Sequence, residues 1–249
     1  MPYPFLEDST PANVNAAKRI DVVLFDYGMV LSGPPDPAAW AVMRTVTGLD
    51  EDHLHAGYWA FRHDYDRGAL TGPAYWHAVA AHAGVTLDNA QVAALLAADI
   101  DLWTQLNTPM VEWARRLQRA GIRTGILSNI GDCIAEGIVA KLPWLSGFEH
   151  CTWSHTLFMA KPEPAIFMKT AEALKTGPAH ILFIDDREEN VHAAAAIGMQ
   201  TIHYTDHAAF EREMRERGLA SLLDAGLLAN PHQVPPTETL DCEPEPAAK

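Results

Sequence analysis

Along this chain the apolar positions follow two rhythms, and the change-over falls near Pro109. The first strong signal is a near-continuous apolar run from Ile20 to Phe25. Its β-branched and aromatic content predicts a buried parallel strand that ends at Asp26-Tyr27-Gly28. Gly33, Pro34, Pro35 and Pro37 then break the pattern, and Asp36 is placed to cap a helix starting near Pro37. From there to about Asn107 the spacing is helical. Trp40, Met43 and Val46 recur three apart, followed by Leu54, Tyr58, Phe61 and Tyr65, then Tyr75, Trp76 and Val79, then Val92, Leu95 and Leu96. Glycines 48, 68, 72 and 84 punctuate these groups, which predicts about four helices with no strand between them.

Beyond Pro109 helices and strands alternate. The pattern predicts a helix from Met110 to Ala120 closed by Gly121, a strand from Arg123 to Asn129, a helix from Ile134 to Leu142 and a weaker strand near Phe148 to Trp153. A helix from Glu163 to Leu174, a strand from His180 to Ile184 that stops at Asp185-Asp186, a helix from Glu189 to Ile197 and a strand from Gln200 to Tyr204 follow. Strands separated by helices imply a parallel sheet covered on both faces, with right-handed crossovers. In such sheets ligands bind outside the carboxyl ends of the strands. Those ends carry Asp26, Ser128-Asn129 and Asp185-Asp186, with Lys161 on a connecting loop.

Composition narrows the partners. With 249 residues, 48% of them apolar, the chain can fill one α/β core with a smaller insertion. A formal charge of −14 argues against broad attraction to nucleic acid or an anionic membrane. No stretch reaches the ~20 apolar residues of a membrane span, and the N-terminus lacks the basic-then-apolar profile of a signal peptide. Cys133, Cys151 and Cys242 share no metal-ligand spacing and give no disulfide framework, so a reducing cytoplasm is expected. The tail from Asn230, with five prolines among acidic residues, is expected to be disordered. The oligomeric state is not written in the pattern.

A carboxylate at the end of an apolar strand is costly unless its charge is satisfied. Asp26, Asp185 and Asp186 would bring three such charges together, which requires a cation or a raised pKa. Oxygen-only donors suit Mg²⁺ and disfavour zinc. Lys161 could hold both the Asp26 carboxylate and a phosphate oxygen, while Ser128 and backbone N–H groups donate to the remaining oxygens. These parts suffice for attack of a carboxylate on phosphorus through an aspartyl-phosphate. Taken singly, each residue has a plainer reading as a turn, helix cap or surface group. Trp40, Trp59, Phe61 and Trp76 read as helix-packing residues rather than a substrate-stacking wall, and Arg187 as a surface or helix-start residue.

The ordered set Phe25-Asp26-Tyr27-Gly28-Met29-Val30-Leu31, Ile126-Leu127-Ser128-Asn129, Lys161-Pro162-Glu163-Pro164-Ala165-Ile166-Phe167 and Phe183-Ile184-Asp185-Asp186-Arg187-Glu188-Glu189-Asn190-Val191 resembles the four motifs of the haloacid dehalogenase superfamily. Over residues 19–205 the likeness extends to the branch with a helical cap inserted after the first motif. It implies a Rossmann-like core over 19–32 and 108–228, a helical cap over 33–107, an N-terminal extension over 1–18 and a tail over 229–249. It also implies Mg²⁺ and, in most members, phosphatase activity on a small phosphorylated metabolite. By position Asp26 would be the nucleophile and a metal ligand, the Gly28 carbonyl a second ligand, and Asp185 and Asp186 the acidic metal site. Ser128 and Asn129 would contact phosphate, and Lys161 would be the stabilising cation.

One position departs from the pattern. Most phosphatases of this superfamily carry a second aspartate two residues after the nucleophile for proton transfer, and here that residue is Gly28. Nearby His63, Asp64, Asp66 or Arg67 could take the role, and the sequence does not choose among them. Metal-free hydrolysis of a haloacid is the competing enzyme reading. Asp185-Asp186 and the absence of an arginine before Arg44 in the first-motif region weigh against it. A binding or regulatory protein on a degenerate core is the third.

Overall fold

A computed structural model describes residues 19–227. The expected N-terminal extension and C-terminal tail lie outside the described residues. Five strands, β1 (Val22–Phe25), β2 (Arg123–Ser128), β3 (His150–Trp153), β4 (Ile181–Asp185) and β5 (Gln200–His203), form one parallel sheet in the order β3-β2-β1-β4-β5. The first strand starts two residues later than the apolar run does. It is the central strand, and the chain winds outward from it in both directions, so a crevice opens beyond its carboxyl end.

Alternation along the strands divides the interior into two cores. Val23 and Phe25 of β1, with Leu182 and Ile184 of β4, face one side; Val22 and Leu24, with Ile181 and Phe183, face the other. The second side is closed by α9 (Pro164–Ala173), which contributes Ile166 and Phe167, and by α10 (Glu188–Ala196), which contributes Ala194. Covering the first side are α6 (Thr108–Arg119), α7 (Asp132–Lys141), α11 (His207–Glu216) and the short α12 (Ala220–Leu223). Phe25 meets Trp113 of α6 edge-on at 5.4 Å, and Trp113 in turn meets Phe210 of α11 at 4.9 Å. These last two helices were not anticipated, although α11 places Phe210 and Met214 four apart on its buried face.

Between β1 and α6 stand five helices: α1 (Pro37–Thr47), α2 (Glu51–Ala60), α3 (Arg62–Asp66), α4 (Gly72–His82) and α5 (Asn89–Leu102). Asp36 caps α1 as expected, its carboxylate accepting from Ala38 N at 2.8 Å. Asp88 and Gln91 form a reciprocal capping box at the start of α5. The second helical group is broken into α2 and α3 at Phe61, whose ψ of 0° lies off the helical value, so there are five helices rather than about four. The last described helix of the core side, α8 (Ser154–Leu157), is a single turn after β3.

The insertion leaves and returns through one neck. Ser32 bridges Leu106 in antiparallel fashion, Gly33 N donates to Gln105 O at 2.7 Å and Asn107 N donates to Leu31 O at 3.0 Å. The Asn107 amide adds bonds to Val30 O at 2.9 Å and to the Tyr204 hydroxyl at 2.8 Å. Farther out, the insertion rests on core glycines. A Cβ at Gly131 would overlap the ring of Tyr65, and one at Gly137 of α7 would overlap Ile100 of α5. No helix among the described residues is long and apolar enough to cross a membrane.

Gly131→Ala is expected to force Tyr65 aside and to lower stability by about 1–3 kcal/mol, as overpacking of a tight contact does. A urea melt checks it through a lower midpoint with an unchanged slope; a midpoint equal to the parent's would refute the tight contact.

Candidate active site

Parallel pairing brings the ends of three strands to one rim. Phe25 pairs with Ile126 and Ile184, so Asp26 and Asp185 emerge side by side with Ser128 one residue farther along β2, and Asp26 N donates to Ile184 O at 2.8 Å. One oxygen each from Asp26, Asp185 and Asp186 lie within 4.8 Å of one another. Lys161 enters from the loop before α9 and is buried. Its ammonium reaches Asp26 Oδ1 at 2.8 Å, Asp185 Oδ2 at 2.7 Å and Leu127 O at 3.0 Å. Those three acceptors use all three of its N–H bonds. The lysine therefore stands as a fixed counter-charge between two carboxylates, and a phosphate contact would require it to give up Leu127 O.

Other residues hold that arrangement. Asn129 clamps the Lys161 backbone, donating to its carbonyl and accepting from its N–H, both at 2.8 Å. The side chain expected to touch phosphate thus also helps to place the cation, and its amide has a second N–H beyond the one given to Lys161 O. Asp185 accepts from Arg187 N at 2.8 Å, and its Oδ1 and Oδ2 accept from Asn190 Nδ2 at 2.9 and 3.1 Å, in addition to Lys161. Asn190 stood in the quoted motif with no role assigned; its position in the first turn of α10, five residues after Asp185, is what aims it. Asp26 Oδ1 also accepts from Tyr27 N at 2.7 Å, and no protein group donates to Oδ2 among the described residues. Ser128 is buried, lines the cavity and makes no side-chain hydrogen bond there. Gly28 O accepts from Val30 N at 2.7 Å, which leaves its second lone pair.

Burial pushes the Asp26 carboxyl up to about 8. Lys161 pulls it down, and Asp185 and Asp186 push it up again. Asp186 is raised by the same burial and by Asp185. Burial disfavours the Lys161 ammonium, but Asp185 and Asp26 outweigh this and its pKa rises. With all three carboxylates ionised the rim would be two positive charges short, a deficit that a hard cation would offset; its all-oxygen donor set fits Mg²⁺ rather than a soft metal.

These groups open into a cavity of about 610 Å³ whose far wall comes from the insertion: Trp59, Arg62, His63, Asp66 and Trp103. Of the four residues considered as proton carriers, His63 and Asp66 reach this cavity, whereas Asp64 is exposed outside it and Arg67 pairs with Glu163 beside the Lys161 loop. Trp59 corrects the expectation of a packing residue. Its side chain is 47% exposed and faces the cavity, because α2 turns its buried side, Leu54 and Tyr58, the other way. Trp76 is fully buried, as expected. Arg187 precedes α10 and is exposed, as expected, yet it also lines the cavity and pairs with Glu189 at 2.5 Å.

Arg62 went unremarked in the sequence. It is buried, bonded through Nε to Asp66 at 2.7 Å and through its terminal nitrogen to the Tyr58 hydroxyl, which itself donates to Asp99 at 2.8 Å. Its guanidinium lies 5.6 Å from the Trp103 ring centre. Burial raises the Asp99 carboxyl to about 6 against the pull of Arg62. The i, i+4 spacing of Arg62 and Asp66 was the available signal.

A parallel α/β core with a carboxylate centre at the end of its middle strand, under a helical insertion, defines a hydrolase of the Rossmann-like kind. The chain belongs to the haloacid dehalogenase-like hydrolases, whose family model matches residues 20–198. It is 31% identical over 115 residues to bifunctional epoxide hydrolase 2 of Rattus norvegicus, covering 45% of this chain and 21% of that protein. It is also 25% identical over 211 residues to a drimenol cyclase of Aspergillus calidoustus, covering 82% of this chain and 39% of that one. Over 58 residues, 23% of this chain and 30% of the relative, it is 38% identical to a sesquiterpene phosphatase of Aspergillus oryzae. The chain thus spans less than two fifths of the length of these curated relatives. Among solved structures, a haloacid dehalogenase-family enzyme of Bacteroides thetaiotaomicron in complex with magnesium and inorganic phosphate superposes with a TM-score of 0.62 at 23% identity, over 76% of this chain and 95% of that one. The L-2-haloacid dehalogenase of Xanthobacter autotrophicus does so with 0.57 at 18%, over 83% and 87%.

A carboxyl raised from its ordinary 3.8 to about 8 keeps its proton in the folded chain after the unfolded chain has lost it. Stability of the metal-free protein therefore falls as pH rises from about 4 to about 8 on account of this group. Asp26→Asn is expected to melt at a higher temperature than the parent in EDTA at pH 8, with the gap narrowing toward pH 4 and on adding Mg²⁺. Thermal melts across that range check it, and a gap that does not change with pH would refute the assignment.

Proposed function

We propose that the protein is a Mg²⁺-dependent phosphohydrolase that cleaves phosphomonoesters through an aspartyl-phosphate on Asp26. The observation that carries this reading is the placement of a buried carboxylate with one oxygen held by Lys161 and Tyr27 N and the other unengaged, beside two further aspartates. Asp26 Oδ2 is the attacking atom. Attack on phosphorus forms the Asp26–phosphate bond and releases the alcohol; water then attacks the same phosphorus and returns the carboxylate with inorganic phosphate.

Asp26 and Asp186, with the free lone pair of Gly28 O, would hold the Mg²⁺. Asp185 has its acceptor positions filled by Lys161, Arg187 N and Asn190, so it acts chiefly to anchor the lysine. Bound there, Mg²⁺ supplies the positive charge that offsets both the carboxylates and the phosphate. Ser128, unbonded within the protein, donates to a phosphoryl oxygen as charge builds there. The five-helix insertion serves as a cap over residues 33–107 and shields the site from water. Gly28 supplies no proton, and His63 and Asp66 are the cap residues that share the cavity.

The named phosphatase among the relatives, and the magnesium and phosphate held by the Bacteroides enzyme, support the reading. Dehalogenase neighbours keep the metal-free reaction in contention, but a pair of aspartates beside a buried nucleophile would be an unneutralised charge without a cation.

Release of p-nitrophenol from p-nitrophenyl phosphate is expected with Mg²⁺ and not in EDTA, to fall to background in Asp26→Asn, and to drop about 10²-fold in kcat in Ser128→Ala. Chloride release from a 2-haloacid in EDTA, with no turnover of any phosphate ester, would overturn the proposal.

A further inference from the structure

The polar side chains on the cavity wall away from the carboxylate centre are already engaged with one another. Arg62 is bonded to Asp66 and Tyr58, Arg187 to Glu189, and Asn129 to the Lys161 backbone. Among the described residues that line this wall, the exposed His63 has no side-chain partner. The surfaces left to meet a leaving group are apolar: the indoles of Trp59 and Trp103 and the thioether of Met29. Trp59 is 47% exposed and Met29 40% exposed, although nearby aromatic side chains of the insertion, Tyr58 and Trp76, are fully buried. Gly28 faces the same wall. A Cβ built on it would stand 3.9 Å from the Trp103 ring, so the position that lacks a proton-transfer group looks onto an aromatic face.

That wall has a second side. Trp59 and Trp103 also line a groove of about 450 Å³, together with Pro35, Pro37, Trp40 and Leu102. Its charged members are again self-satisfied. Arg44 pairs with Glu51 at 3.2 Å, Glu51 accepts from Trp40 Nε1 at 2.6 Å, and Trp103 Nε1 donates to the Tyr58 hydroxyl at 3.3 Å, so these two indole N–H groups are engaged. Cavity and groove therefore share two indoles, and together they offer a long apolar surface that starts beside the nucleophile.

We propose that the natural substrate is the phosphate ester of an extended apolar alcohol, its hydrocarbon lying across Trp59 and Trp103 with its far end in the groove. This rests on the phosphatase reading, and it disfavours the polyhydroxylated leaving groups of sugar phosphates and nucleotides, whose hydroxyls would have to compete with the existing partners of Arg62 and Arg187 on this wall.

Two series test it together: hydrolysis of n-alkyl monophosphates of increasing length, and binding of the corresponding n-alkylphosphonates, which cannot be hydrolysed, followed by calorimetry with Mg²⁺ present. Both kcat/KM and affinity are expected to rise up to about fourfold per added methylene until the groove is filled. Glucose 6-phosphate should be a poor substrate beside octyl phosphate. Trp59→Ala should flatten the dependence on length. Ala41→Trp, at an exposed α1 position on the groove, should make it level off at shorter chains. Hydrolysis that is indifferent to length, or that favours glucose 6-phosphate, overturns the proposal even though the phosphatase reading stands. No hydrolysis of any ester, with phosphonate affinity still rising with length, sinks the phosphatase reading and keeps the apolar site; affinity flat with length sinks the site as well.

Discussion

The site depends on one buried ammonium. Lys161 sits between Asp26 and Asp185 and lies against Leu127 O, and without it two carboxylates would face each other in a region from which water is excluded. A buried charge pair adds little net stability when complete and costs much when one partner is missing. Here the third carboxylate leaves the balance negative, and it adds to the burial that chiefly raises the Asp26 carboxyl. The same imbalance that burdens the fold is one that a divalent cation would offset. Asn129 and Asn190 look peripheral, yet each serves this balance, one by fixing the backbone that carries the lysine and the other by holding Asp185.

The sheet supplies the precision. Because β2 and β4 flank β1 in parallel register, three chain segments far apart in sequence deliver their polar ends to the same height on one rim. The helical insertion adds what a sheet cannot, a wall facing that rim. Asp66 and the Tyr58 hydroxyl are gathered inward around Arg62, and the indole of Trp59 is left exposed to the cavity. The division of labour is physical: fixed charge on rigid strand ends and apolar surface on helices.

Much of this could be read from the amino-acid order, because each strand is a short apolar run and each ends on a polar residue. The meeting of Asp26, Lys161 and the acidic pair was legible for that reason: buried-strand carboxylates need a partner, and the candidates lay at the end of a later strand and on a loop at the same rim. What stayed hidden depended on directions. Trp59 has the same helical spacing as packing residues, and only the break at Phe61 and the tilt of α2 turn it to the cavity. Arg62 gathers Tyr58, Asp66 and Asp99 from three helices, and no local pattern announces a meeting that tertiary packing creates. The closing helix α11 was missed because charged residues dominate its exposed face, and α12 because a four-residue turn is too short to carry a period.

The neck between Ser32 and Leu106 also bears on how the sheet can assemble. Pairing Phe25 with Ile126 closes a loop of about a hundred residues, one of the longest-range contacts in the chain. When the insertion has packed and its two ends are bridged, the path between those strands shortens to roughly thirty residues, which lowers the entropy of closure by about 1 kcal/mol. The segment that interrupts the core in sequence thus shortens the route by which the core comes together.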